Sequence, residues 1–181
     1  MRSQEAAIGD LIADALKGAN GADVAITNGG GIRGDKQYPA GTTLTRRDVF
    51  TELPFGNVTV VTELTGKAIR DALENGSSQV EKGAGRFPQI SGMTVVADLQ
   101  QPPGSRVVSV MVADKPLDPN GTYKVATNDY MLGGGDGYTA LGTGKVLINS
   151  SAGNLMANDV MNYIQAAKTL TQKVEGRIVL K

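Results

Sequence analysis

The sequence predicts a mixed α/β (α+β) fold, and three observations predict it. Helical and strand-like segments alternate through the first 76 residues, three β-rich runs then follow one another, and a last helix leads to a short terminal strand. At 181 residues the chain can bury one substantial core, so residues 1–181 are read as a single domain.

The elements follow in order. From Ser3 to Leu16, the residues Ile8, Leu11, Ile12, Ala15 and Leu16 share one helical face, with Ser3 as N-cap, Glu5 in the first turn and Gly18 as the stop. Asp23 to Thr27 reads as a buried strand. In "TRRDVFTEL" Thr45 caps a short helix that ends before Pro54. "NVTVVTEL" alternates as a strand, and Thr65 then caps "GKAIRDALENG", a helix ending at Gly76. "ISGMTVVADL", "SRVVSVMVA" and "TYKVATN" are separated by turn signals and read as an antiparallel meander. A helix is expected from about Asn154 to Ala167, with Met156 and Tyr163 as core residues, followed by the strand "GRIVL".

Composition narrows the function. Lys plus Arg and Asp plus Glu number 18 each, so no basic field exists to attract a nucleic acid polymer. The 24 glycines are about twice the usual share, which points to turns and backbone-lined surfaces. The chain has no cysteine, hence no disulfide framework and no thiolate chemistry. It also has no histidine, which leaves it poorly equipped for zinc hydrolysis or for acid–base catalysis near neutrality. No apolar run is long enough to span a membrane. A helix-like segment starts straight after Met1, which reads as a fragment of a longer protein, so the lack of a signal peptide leaves export open.

The chemistry concentrates around two glycine clusters, each after a strand, as if two parts of the chain converged on one cleft. In "VAITNGGGIRGD" Gly29, Gly31 and Gly34 fit the spacing of a dinucleotide fingerprint, but "DKQYPAGTT" downstream offers no helix to hold a pyrophosphate. The cluster is either a tight turn or a loop whose backbone approaches a ligand, with Asn28 and Arg33 as its polar tools. Phe55 in "LPFGN" and Tyr130 in "ATNDYMLGGGDGY" either plug the ends of the core or together sandwich a flat heterocycle. Asp136 in "GGGDG" could bind a metal, cap backbone or accept from a sugar diol. Its surroundings lack the several oxygen ligands of a metal site, so the diol fits better. Arg2 and Arg33 suit an anionic group. Stacking aromatics, a diol acceptor, an amide for a base edge and arginines for phosphate together describe a nucleotide.

"NGGGIRGD", "LPFGN" with "LTGKAIRDALE", "FPQISGM" and "ATNDYMLGGGDGY", in that order and after the opening "RSQEAAIGDLIADAL", resemble the C-terminal domain of the 5′-nucleotidase family along essentially the whole chain. The resemblance implies a layered α/β/β/α domain that binds the nucleoside part of the substrate. It places Asn28 on the base edge, Arg33 and Arg2 on the phosphate side, Phe55 and Tyr130 on the two faces of the base, and Asp136 on the ribose hydroxyls. Gly30 and Gly31 lie in the loop along which sugar and phosphate run. Tyr130 stands where some members carry phenylalanine, a change that preserves stacking.

The resemblance further implies a partner, an N-terminal metallophosphoesterase domain of the same polypeptide that holds two divalent metal ions and is absent from this chain. This domain would carry no cofactor or metal and no catalytic residue. The expected substrates are 5′-mononucleotides, hydrolysed to nucleoside and phosphate by a secreted or periplasmic bacterial enzyme of nucleotide catabolism. UDP-sugar hydrolases and 2′,3′-cyclic-nucleotide 2′-phosphodiesterase/3′-nucleotidases would show much the same motifs. A non-catalytic nucleotide-binding module is the alternative of another class, and a structural domain without ligand a third.

Overall fold

The computed structural model describes residues 1–181. Its elements are α1 (Ala7–Asn20), β1 (Val24–Asn28), α2 (Arg46–Glu52), β2 (Thr59–Thr65), α3 (Gly66–Ser77), β3 (Pro88–Ser91), β4 (Met93–Ala97), β5 (Val107–Val112), β6 (Lys115–Pro116), β7 (Thr122–Asn128), α4 (Asp129–Leu132), β8 (Lys145–Ile148), α5 (Met156–Ala167) and β9 (Ile178–Leu180). The strands form a five-stranded sheet, β3-β1-β7-β2-β8, and a four-stranded sheet, β6-β5-β4-β9.

The mixed α/β class and the layered build expected from the sequence are what the structure has. The outer helices α1, α2 and α5 pack Ile12, Leu16, Val49 and Val160 against Ala25, Val61 and Ala126 on one face of the five-stranded sheet. A second core on its other face joins Val24, Ile26, Leu64 and Val125 to Ile69 and Leu73 of α3 and to Val95, Val107 and Val110 of the smaller sheet. Helix α3 therefore packs against both sheets.

Thr45 and Thr65 act as expected. Asp48 N–H donates to Thr45 Oγ1 at 3.3 Å while Asp48 Oδ2 accepts from Thr45 N–H at 2.9 Å, a reciprocal capping box. Thr65 Oγ1 accepts from Ala68 N–H at 3.2 Å. Met156 is buried and Tyr163 packs against the same core.

Other expectations need correction. Helix α1 starts at Ala7 without a side-chain cap and runs through Gly18 to a left-handed Gly21. Gln89 Oε1, from a distant strand, accepts from Ala6 N–H at 3.0 Å and replaces Ser3 in tying down this end. Helix α3 continues through Gly76 to Ser77. The three β-rich runs are not one meander: the first splits at Gly92 into β3 and β4, which belong to different sheets, and β7 returns to the five-stranded sheet between β1 and β2. Strand β8, "KVLI", has no counterpart among the expected elements; it pairs antiparallel with β2 at the edge.

Topology positions the site. Strands β1 and β7 are parallel, with Ala25 beside Ala126, so both glycine clusters leave the sheet at the same end. Strand β2 is antiparallel to β7, with Thr59 opposite Asn128, which brings the preceding "LPFGN" to that end too. Strand β3 is antiparallel to β1, with Pro88 opposite Asn28, and adds the segment before Phe87. Four loops thus meet outside the carboxyl ends of a parallel strand pair, where open sheets form crevices.

Candidate functional site

These loops enclose a cavity of about 430 Å³ lined by Arg2, Asn28, Gly30, Gly31, Arg33, Phe55, Asn57, Gly85, Tyr130 and Asp136. Every site residue expected from the sequence lines it; Asn57 and Gly85 are the additions. Asn57 was legible in principle, two positions beyond Phe55 in the quoted motif. Its Nδ2 donates to Asp129 Oδ1 at 2.9 Å, and the same oxygen accepts from Val58 N–H at 3.1 Å. Asp129 thereby fixes which way the Asn57 amide faces.

The aromatic pair does not plug the core. Phe55 is 58% and Tyr130 49% exposed, while Phe87 and Tyr138 fill the interior. Tyr130 is held in place from two sides. Its hydroxyl donates to Asp136 Oδ1 at 3.0 Å and accepts from Asp136 N–H at 3.1 Å. Its ring lies flat over Gly135, where an added Cβ would fall 2.5–2.6 Å from Cζ, Cε1 and Cε2, so the position accepts no side chain without moving the ring. Burial first, and then the bond to the Asp136 carboxylate, raise the Tyr130 pKa above its ordinary value and keep the phenol a donor.

Asp136 sits in a left-handed turn at φ 54°, a conformation that Asp tolerates better than most residues. Asn75 Nδ2 donates to its main-chain oxygen at 3.1 Å, and Asn28 Nδ2 donates to its Oδ2 at 2.7 Å. Asn28 Oδ1 in turn accepts from Asn128 Nδ2 at 3.2 Å. The amide that the resemblance sets on the base edge is therefore buried and engaged at both ends.

The glycine loop also differs from a simple anion cradle. Gly29–Gly31 forms a single 3-10 turn, and no helix opens at Gly34. Gly29 N–H donates to Phe87 O at 2.7 Å and Gly30 N–H to Gly85 O at 2.8 Å, so these donors join two loops and do not face a ligand. A Cβ on Gly30 would come within 2.7 Å of Gly85 Cα, which is why glycine is needed there.

Arg33 is exposed, with its guanidinium carbon 5.4 Å from the Phe55 ring centroid, within cation–π range. Arg2 is also exposed. With Asp136 the only acidic lining residue, the cavity carries one net positive charge on its side chains. That suits a neutral heterocycle and diol attached to an anionic group. No group of three or more His, Cys, Asp or Glu side chains is placed to hold a metal ion.

Residues 1–143 match the family model described as 5′-nucleotidase, C-terminal domain. The chain is 40% identical to the trifunctional nucleotide phosphoesterase protein YfkN of Bacillus subtilis (strain 168), over 98% of its own length and 12% of that protein. Among solved structures, the 5′-nucleotidase precursor of Thermus thermophilus superimposes with a TM-score of 0.89 at 40% identity, covering 99% of this chain and 36% of that one. The Haemophilus influenzae NAD nucleotidase superimposes with a TM-score of 0.84 at 26% identity, covering 97% and 33%. The chain spans about a third or less of the length of these relatives.

Proposed function

The chain belongs to the 5′-nucleotidase family as its C-terminal domain, and on that premise we propose that its cavity binds the nucleoside of a 5′-mononucleotide and presents the phosphate for hydrolysis. The observation that carries this reading is the placement of two exposed aromatic rings, Phe55 and Tyr130, on a single cavity whose only carboxylate is Asp136. The rings take the base, since stacking is worth ~1–3 kcal/mol per base and any heterocycle can use it. Asp136 accepts from the ribose hydroxyls. Asn57, with its amide orientation set by Asp129, is available to the base edge, and Arg33 and Arg2 steer the phosphate.

The reaction of the longer polypeptide is phosphomonoester hydrolysis. Two divalent ions, held by another domain, would supply the activated water and the charge stabilisation on phosphate. This chain's residues contribute positioning, which can remove several kcal/mol of barrier when the bound geometry is near that of attack.

The test is a nuclear magnetic resonance titration of the chain with AMP. Shifts are expected at residues 28–33, 55–57, 84–86 and 130–136. Saturation with shifts confined to other surfaces would reject the cavity as the site.

A further inference from the structure

Asn28 is 4% and Asn128 2% exposed, and Asn128, unlike Asn28, does not line the cavity. Each side-chain amide could be turned either way in isolation; here the backbone decides. Met131 N–H, at the start of α4, donates to Asn128 Oδ1 at 2.8 Å. Asn128 Nδ2 must then face Asn28 Oδ1 at 3.2 Å and Thr27 Oγ1 at 3.4 Å. With its oxygen so occupied, Asn28 turns its Nδ2 to Asp136 Oδ2 at 2.7 Å. Donors and acceptors run in one direction from a helix N-terminus to the cavity carboxylate.

We propose that Asn128 and Asn28 are positioning residues, a buried amide relay that holds the Asp136 carboxylate so that each of its oxygens keeps one acceptor site for the ligand, making the cavity selective for a ribose cis-diol over 2′-deoxyribose. The proposal rests on the nucleoside reading above. A carboxylate has about four lone-pair sites. Asn28 takes one on Oδ2 and the Tyr130 hydroxyl one on Oδ1, which leaves one on each oxygen. A cis-diol brings two O–H donors to these two sites. A 2′-deoxyribose brings one and leaves the other acceptor desolvated without a partner, the situation in which polar sites discriminate most strongly.

The relay also explains a pairing the fold alone does not require. Strands β1 and β7 need no side-chain bond to stay in register, yet Asn28 and Asn128 both end their strands and both precede a glycine cluster. The parallel pairing that brings the two loops together also aligns the two amides.

The experiment is calorimetry of the chain with adenosine, 2′-deoxyadenosine and adenine, repeated on Asn28→Ala and Asn128→Asp. The second substitution keeps an acceptor for Met131 N–H and exchanges the donor that faces Asn28 Oδ1 for a carboxylate oxygen. The unmodified chain is expected to bind adenosine at least about tenfold more tightly than 2′-deoxyadenosine, the scale of one hydrogen bond to a charged group. In both variants that ratio should fall toward one, and in the Asn128 variant, whose side chain lies outside the cavity lining, adenine affinity should be unchanged. A merely structural role would lower all three affinities together, and that result, or an unaltered ratio, would overturn the relay. Binding of adenosine by the unmodified chain without ribose preference would overturn it with no variant needed. Failure to bind any of the three would overturn the nucleoside reading itself.

Discussion

The Tyr130 hydroxyl and Asp136 hold each other by two hydrogen bonds, one given to Oδ1 at 3.0 Å and one taken from the main-chain N–H at 3.1 Å. One contact thus fixes a stacking face and the carboxylate beside it. Tyr130→Phe should retain the ring and lose the anchor, at about 1 kcal/mol or several-fold in adenosine affinity. Tyr130→Ala also loses the stack and should lower affinity further, by ~1–3 kcal/mol. Calorimetric affinities of the two variants check the order; equal losses would mean that the ring adds nothing.

Gly135→Ala tests the same geometry from beneath. The new methyl would meet the Tyr130 ring at 2.5–2.6 Å, and the exposed ring has room to swing away. Nucleoside affinity should drop about as far as in Tyr130→Ala, within ~1–3 kcal/mol, with a melting temperature close to that of the unmodified chain. A large fall in melting temperature would show that the ring is part of the fold's support.

Asp10 is fully buried on α1, and neither carboxyl oxygen has any hydrogen-bond partner as an acceptor. Burial first, then the neighbouring Glu5 carboxylate, push its pKa up to about 8 against the opposing pull of Arg177; Asp14 adds to the rise. Burial also pushes Glu5 up, but the N–H groups of Ile178, Glu175 and Gly176 outweigh it and hold Glu5 below its ordinary value. Protonation would give Asp10 a hydrogen for the neighbouring Glu5 carboxylate to accept, and Glu5 holds the start of β9. Because the folded-state pKa of Asp10 is raised, its contribution is full below about 3.8 and is lost as pH rises toward about 8. Glu5 has the opposite slope and loses its contribution in acid. Asp10→Asn supplies a permanent donor, so it should remove the decline toward alkaline pH, raising the melting temperature at pH 9 by roughly 2–4 °C per kcal/mol recovered. An unchanged alkaline decline in thermal melts would place its origin elsewhere.

Local signals in the sequence were sufficient for what local physics decides. Thr45 and Thr65 were legible as caps because their partners lie three residues away. The convergence of the two glycine clusters, which carry Asn28 and Asp136, was visible in their shared position after strands, whereas the Phe55 loop joins them through the antiparallel pairing of β2 with β7. What depended on distant partners was not. The start of α1 is set by Gln89, 83 residues from Ala6. The Gly29 and Gly30 donors join a loop whose own sequence says nothing of them. The change of sheet at Gly92 leaves strand periodicity intact on both sides, so periodicity could not reveal it. Asn28 is legible as a site residue, but its role as a support for Asp136 follows from Asn128, 100 positions along the chain.

If the nucleoside site is complete within this chain, calorimetric titration with adenosine and AMP in the absence of divalent metal will read it, with Phe55→Ala in parallel. Phe55 is more than half exposed, so its removal should leave the fold intact and lower affinity by ~1–3 kcal/mol, the value of one stacking face. Saturable one-site binding of both ligands, weakened in Phe55→Ala, is the predicted result. No binding at millimolar ligand, or equal affinity in the two proteins, would rule out a stacking nucleoside site in this chain.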